Sequence, residues 1–91
     1  MKTENVTYLL GAYFHQNWFF ENLDPDDVIK SFIARESSER VSALEKEITF
    51  LLANNDELPG SFIINNNGYY DPSADGLTVN KWLQHILSVL P

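Results

Sequence analysis

The 91-residue chain contains no cysteine. This absence excludes a disulfide framework, a thiolate nucleophile and a zinc site built from thiolates, and it permits a reducing compartment. The chain also lacks any run approaching the ~20 apolar residues that a membrane-spanning helix requires. Residues 1–5 show none of the features of a secretory signal. We therefore expect a cytoplasmic protein with no membrane partner.

Basic residues are scarce as well. Six Lys and Arg stand against thirteen Asp and Glu, which gives a formal net charge of −7. Direct binding of nucleic acid is unexpected, because the phosphate backbone is recognised by clustered Lys and Arg. The charge favours a basic partner, such as a cationic protein surface or the cleft of a nuclease. The alternative is that the acidity only keeps the protein soluble.

Apolar residues are abundant enough for a core. They make up 44% of the sequence, which argues against a disordered chain. A chain of this length forms one domain and buries roughly 60–65% of its unfolded surface. We expect a single domain over residues 1–91.

The first half of the chain predicts three helices. Apolar residues from Val6 to Phe14 recur at helical spacing after Thr3, a candidate N-cap, and this helix is expected to end between residues 16 and 18. Asp24 followed by Pro25 predicts the start of the second helix. The third should begin near Ser37 or Ser38 and end at residues 54–55.

The second half predicts one firm helix and one weak one. Asp56 is a candidate cap for a short helical segment over residues 58–64, with an extended conformation of residues 62–64 as the alternative. Residues 65–68 resemble a turn or left-handed helix end. Residues 71–76 form a loop, and Thr78 caps an amphipathic last helix. The sequence therefore predicts an all-α fold, a compact bundle of four or five helices.

Near the end of the first helix lies a hexapeptide rich in aromatic and hydrogen-bonding side chains: Tyr13, Phe14, His15, Gln16, Asn17 and Trp18. Its aromatic residues continue the apolar stripe, which predicts core packing. Its three polar residues can supply donors to the carbonyl groups at the helix end. The alternatives are that they contact a partner or act in catalysis.

The hexapeptide closely resembles the Tyr-Phe-His-Gln-Asp-Trp signature of the CdiI-type immunity proteins of contact-dependent growth inhibition systems. A second block resembles the same family and consists of Gly68-Tyr69-Tyr70-Asp71-Pro72, Asp75-Gly76 and Trp82-Leu83. The two blocks occur in a consistent order over most of the chain. The chain departs from the family at Asn17, where an amide keeps the hydrogen bonds of the usual Asp but not its charge.

This resemblance implies a function. Members of the family bind one cognate toxin, the C-terminal domain of a contact-dependent inhibition exoprotein, and we expect a 1:1 complex. Such toxins are commonly nucleases with basic active sites, which an acidic inhibitor can occlude without any chemistry of its own. The resemblance therefore implies a protein that is not an enzyme and that needs no cofactor.

Acidic residues are the candidate toxin contacts. The first choice is the cluster at the start of the second helix, and two loop acids and two aromatic residues are added: Glu21, Asp24, Asp26, Asp27, Asp71, Asp75, Tyr70 and Phe20. The acids have an alternative role in capping helices, and the aromatic residues have one in the core. The remaining signature residues, including Gly68, Tyr69 and Trp82, are assigned to structure.

The sequence gives little support for metal binding or catalysis. Residues 71–76 imitate the start of a calcium-binding EF-hand loop, but Trp82 stands where the bidentate carboxylate is needed. His15 and His85 lack a nucleophile at a recognisable spacing, so we predict no catalytic residues and no metal site. The rival function is an acidic helical adaptor or a DNA-mimicking regulatory protein.

Overall fold

The computed structural model describes residues 3–18 and 24–91. The described residues contain five α-helices and no strand, which confirms the all-α prediction. The helices are α1 (Glu4–Tyr13), α2 (Pro25–Arg35), α3 (Ser38–Asn54), α4 (Ser61–Asn65) and α5 (Val79–Val89), with a 3-10 turn over Pro72–Asp75. The radius of gyration is 12.0 Å, close to the ~12 Å expected for a globular chain of this length.

Helix α3 is the centre of the bundle, since it packs against α1, α2 and α5, and α2 also packs against α5. Each long helix turns one apolar stripe inward, as amphipathic helices do. These stripes form one core, made of Val6, Leu9, Leu10, Phe14, Val28, Ile29, Phe32, Val41, Leu44, Ile48, Leu51, Leu58, Ile63, Tyr70, Val79, Trp82, Leu83, Ile86 and Leu90.

Three helix starts follow local capping rules, as predicted. The side chain of Asp24 accepts a hydrogen bond from the backbone N–H of Asp26, and Pro25 occupies the first position of α2. Ser37 and Thr78 cap α3 and α5 in the same way. Side-chain oxygens at these positions satisfy N–H groups that have no partner within the helix.

The start of α1 is different. Thr3 occupies the N-cap position, as predicted, but its side chain makes no capping hydrogen bond. The carboxylate of Glu47, from the middle of α3, takes its place. It accepts the backbone N–H groups of Asn5 at 2.9 Å and Val6 at 3.1 Å, and it is only 6% exposed.

Helix α1 also ends earlier than predicted, at Tyr13 rather than at residues 16–18. The N–H of Phe14 bonds back to the carbonyl groups of Leu9 and Leu10, and its own carbonyl accepts the N–H of Tyr69 at 2.9 Å. That carbonyl would otherwise accept from Trp18, whose N–H bonds to His15 instead. A tertiary hydrogen bond thus takes the place of another helical turn.

Helix α4 begins at Ser61, and the predicted cap at Asp56 was wrong. The chain before it is held in a non-helical form by Asn80 of α5, which is 8% exposed. The amide oxygen of Asn80 accepts the N–H of Leu58 at 2.7 Å, and its nitrogen donates to the carbonyl groups of Asn55 and Asp56. After α4, Asn67 adopts the left-handed conformation predicted for this turn, with φ 72°.

Candidate functional site

The two sequence blocks of the signature meet in space. Besides the hydrogen bond between Tyr69 and Phe14, their aromatic rings form one cluster. The Phe14 ring lies 5.6 Å from those of Trp18 and Tyr70 and 5.3 Å from that of Trp82, between ring centroids. Phe14 and Trp82 are at most 1% exposed. These contacts support a structural role for the aromatic residues of the hexapeptide.

Tyr13 points to another part of the core. Its ring packs 5.3 Å from Phe32, and its hydroxyl donates to Glu36 at 2.6 Å. Burial, together with this hydrogen bond, raises the pKa of Tyr13 to about 12. The hydroxyl of Tyr8 donates to the same carboxylate, and the Arg40 guanidinium lies 4.1 Å above the Tyr8 ring. This network joins α1, α2 and the start of α3.

The polar part of the hexapeptide does not close the helix by the predicted route. A ring nitrogen of His15, Nδ1, accepts the N–H of Asn17 at 3.1 Å, so this histidine serves as an acceptor there. Gln16 and Asn17 are exposed. The carbonyl groups of Leu9, Leu10 and Phe14 receive backbone donors, as described above. Whether these polar residues also contact a partner stays a prediction.

One open groove brings together acids that lie far apart in the sequence. It has a volume of about 470 Å³ and lies where the start of α2, the 3-10 turn and α5 meet. We call it the acidic groove and define it by its lining residues: Asp24, Pro25, Asp26, Tyr70, Asp75, Leu77, Trp82 and His85. Four of the predicted contact residues are among them.

Two hydrogen bonds fix the walls of the acidic groove. Asp26 of α2 pairs with the Nε2 atom of His85 on α5 at 2.8 Å, with both side chains about two-fifths exposed. On the other wall, the hydroxyl of Tyr70 donates to Asp75 at 2.6 Å. The carboxylate of Asp24 lies at the helix N-terminus, where a negative charge is favoured. Each wall therefore carries a side-chain hydrogen bond and stays open to solvent.

Several carboxylates act on the Tyr70 hydroxyl at the acidic groove. Burial raises the pKa of the Tyr70 hydroxyl above its ordinary value, and the hydrogen bond to Asp75 raises it further. The charges of Asp75, Asp26 and Asp71 act in the same direction, because each disfavours a phenolate. Acids from two separate parts of the sequence thus reach the same point in space, and a cationic group of a partner would be attracted there.

The other predicted contact residues lie elsewhere. Asp27 is exposed on the first turn of α2, and Asp71 is exposed at the start of the 3-10 turn, beside the groove. Phe20 and Glu21 lie outside the described residues. The burial of the two tyrosines is opposite to their assigned roles. Tyr70, assigned to toxin contact, is 5% exposed and holds Asp75, whereas Tyr69, assigned to structure, is 54% exposed.

His85 is the groove residue that the sequence pattern missed. It was not among the predicted contact residues, and it is separated from Asp26 by 59 positions. No short-range spacing could have connected them. The only usable signal was that both residues flank apolar positions of amphipathic helices, which the packing of α2 on α5 brings together.

The residues that the structure describes support neither a metal site nor a membrane-spanning helix. Among these residues, no three His, Asp or Glu side chains are placed to hold a metal ion. The segment that imitates an EF-hand folds as a 3-10 turn, in which Asp71 caps the turn and Asp75 accepts from Tyr70. Across the same residues, no helix has the length and hydropathy to cross a bilayer.

The fold and the groove define a small, acidic, all-α domain. The comparisons with known proteins give its family. A family model described as CdiI immunity protein matches residues 2–90, and the chain therefore belongs to the CdiI immunity protein family. This confirms the family that the sequence was predicted to resemble.

A solved structure agrees with the family. The chain is similar to a chain in the crystal structure of the CdiA-CT/CdiI complex from Y. kristensenii 33638, with a TM-score of 0.83 and 27% sequence identity. The match covers 100% of both chains. No curated protein sequence matches the chain.

Proposed function

We propose that this protein binds and neutralises the toxin domain at the C-terminus of a cognate contact-dependent inhibition exoprotein, as a 1:1 complex in the cytoplasm. The observation that carries the proposal is the end-to-end match to a chain of a CdiA-CT/CdiI complex, in a chain that belongs to the immunity family. The family assignment also favours immunity over the rival adaptor function.

The acidity of the protein supports a particular kind of toxin. A nuclease, and an RNase in particular, must hold a polyanion and so has a basic active site. A protein of net charge −7 with three carboxylates around one groove is attracted to such a site. Long-range attraction of this kind raises association rates by roughly 10- to 1000-fold. Inhibition then requires only occlusion of the cleft, with no chemistry from the inhibitor.

The proposed contacts are centred on the acidic groove. Asp24, Asp26 and Asp75 line it, and Asp27 and Asp71 are exposed beside it. Tyr70 contributes by holding Asp75 in place. Phe20 and Glu21 remain candidate contacts on sequence grounds alone.

The first test is binding and inhibition. The purified protein is mixed with the toxin domain encoded by the adjacent gene, and the affinity, stoichiometry and remaining nuclease activity are measured. We expect a tight 1:1 complex without nuclease activity. Absence of binding at micromolar concentration would refute the proposed function.

The second test locates the charged contacts with two variants of equal charge. D24N/D27N neutralises two acids at the start of α2, and Asn at position 24 can still cap the helix. E39Q/E45Q neutralises two exposed acids on α3, outside the groove. We expect D24N/D27N to slow association by about 5- to 10-fold at low salt and to flatten its salt dependence. If the two variants slow association equally, net charge alone explains the effect. The charged contacts would then not lie at the start of α2.

A further inference from the structure

A second concave surface lies on the other side of Tyr70 from the acidic groove. It is an open hollow of about 430 Å³ between α4 and the start of the 3-10 turn. We call it the Tyr69 hollow and define it by the residues that matter here: Ile63, Ile64, Gly68, Tyr69, Asp71 and Ser73. Its exposed residues combine an aromatic ring, an aliphatic side chain and a carboxylate.

The backbone beneath Tyr69 is held firmly. Its N–H donates to the carbonyl of Phe14 at 2.9 Å, and the N–H of Gly68 donates to Ile63 at 2.9 Å. Gly68 packs so closely that an added Cβ would lie 2.8 Å from Ile63 and 3.1 Å from Leu10. The next residue, Tyr70, is buried in the core.

Tyr69 itself nevertheless turns outward, and its side chain is 54% exposed. Beside it, Ile64 is 53% exposed, so two large apolar side chains face solvent at one hollow. An exposed aromatic side chain on a fixed backbone loses little conformational freedom on binding, which is the property of an interface anchor. The core packing of this segment therefore does not account for the exposure of Tyr69.

Asp71 supplies a charge at the same hollow. Its Oδ1 atom accepts both the N–H of Ser73 at 3.0 Å and the Ser73 hydroxyl at 2.7 Å. Oδ2 receives no hydrogen bond from any residue that the structure describes. Asp26 and Asp75 each use one carboxylate oxygen within the acidic groove, Asp26 with His85 and Asp75 with Tyr70. Asp71 is thus oriented by Ser73 and keeps one oxygen for a partner.

We propose that the Tyr69 hollow receives one Lys or Arg side chain of the toxin and is a specificity-determining contact of the complex. The aliphatic stem of such a residue matches Ile64, and its cationic head matches the face of the Tyr69 ring and the carboxylate of Asp71. No other common side chain satisfies all three. The inference rests on the proposed function, and it adds an apolar anchor to an interface otherwise described by charge.

Matched variants test the anchor. Y69A removes the ring, Y69F keeps it, and F50A removes another exposed aromatic side chain, 39% exposed on α3 and outside the hollow. We expect Y69A to raise the Kd for the toxin by about 30-fold or more, mainly through faster dissociation. Y69F and F50A should bind within about 2-fold of the unaltered protein. Circular dichroism and thermal melting of each variant establish that it is folded.

A double-mutant cycle tests the basic side chain. D71N is measured against single Lys→Ala and Arg→Ala variants of the toxin, and we expect one toxin residue whose loss makes D71N and Y69A nearly neutral. If folded Y69A and D71N bind as tightly as the unaltered protein, the hollow is not a contact and this inference is overturned, although the proposed function stands. If the unaltered protein does not bind the toxin at all, it is the proposed function that fails.

Discussion

Replacement of Glu47 by alanine is the sharpest test of how this fold is held together. Its carboxylate is 6% exposed and accepts the backbone N–H groups of Asn5 and Val6 and the side-chain amide of Asn5. It therefore acts as the N-cap of α1 from the middle of α3. The E47A variant leaves these donors without their acceptor, and Val6 is only 1% exposed, so water cannot readily replace it.

The magnitude follows from two terms. Loss of a helix cap and its favourable charge costs about 1 kcal/mol, and a buried N–H without an acceptor costs a further ~1–3 kcal/mol. We expect E47A to lower the free energy of unfolding by about 3 kcal/mol, out of roughly 5–13 kcal/mol for a domain of this length. The melting temperature should fall by roughly 12–24 °C. E47Q keeps an oxygen acceptor and should lose less, about 1–2 kcal/mol.

The assay is urea unfolding followed by tryptophan fluorescence and by far-ultraviolet circular dichroism. The matched control is E45A, which removes an exposed glutamate two positions earlier in the same helix and should stay within about 0.5 kcal/mol. Hydrogen exchange adds a local measurement, since the amides of Asn5 and Val6 should lose protection first. If E47A matches E45A in stability, the long-range cap does not hold α1, and the reasoning is refuted.

Four further predictions concern stability. G68A should destabilise the fold by about 1–3 kcal/mol through overpacking, because the added Cβ meets other atoms at 2.8 Å, whereas G60A meets nothing within 4 Å and should be tolerated; urea unfolding compares the two. N80A removes the acceptor of a buried N–H and should cost about 1–3 kcal/mol in the same assay. The pKa of Tyr13 is raised from 10.0 to about 12, so its contribution to stability is complete below pH 10 and is lost as the pH rises through 12. The pKa of Glu36 is lowered, chiefly by the hydrogen bond from Tyr13, so its contribution is complete above its ordinary pKa of 4.5 and is lost as the pH falls below that value.

The outcomes that contradict these predictions are distinct. Equal stability of G68A and G60A would mean that the contact at Gly68 relaxes freely. An N80A variant as stable as the unaltered protein would mean that water replaces the amide. For the pH predictions, Y13F should flatten the loss of stability at alkaline pH and E36Q the loss at acid pH. If the pH dependence of stability is unchanged in either variant, groups other than the replaced residue cause that loss of stability.

Prediction from the sequence succeeded where a structure depends on neighbours along the chain. The starts of α2, α3 and α5 need only a capping side chain and two or three following residues, so Asp24, Ser37 and Thr78 were sufficient evidence. Prediction failed where a residue distant in the sequence makes the hydrogen bonds that were expected from a neighbouring residue. Thr3 has the right residue type for a cap, but the N–H of Asn5 is accepted by Glu47, 42 positions further along the chain. Asp56 likewise gives way to the bonds that Asn80 makes from α5.

The candidate site shows the same division. Acidic residues were recognised as candidates from charge and helix position, but their arrangement was not. The pairing of Asp26 with His85 and of Tyr70 with Asp75 creates one acidic groove out of separate segments. The sequence could not tell which of two adjacent tyrosines would be buried, because both have the same chemistry. In the folded chain the backbone of Tyr69 bonds to Phe14, and Tyr70 is the tyrosine that turns into the core.

By itself, the sequence determined the helical class, the starts of α2, α3 and α5 and the immunity family. The class and the helix starts follow from local capping and from 3.6-residue periodicity, which depend only on residues close together in the chain. Only the tertiary structure decided which group accepts the first N–H groups of α1, where α1 ends, which acids share a groove and that Tyr69 faces solvent. Those features depend on contacts between residues 40 to 60 positions apart, and such contacts exist only after the helices have packed.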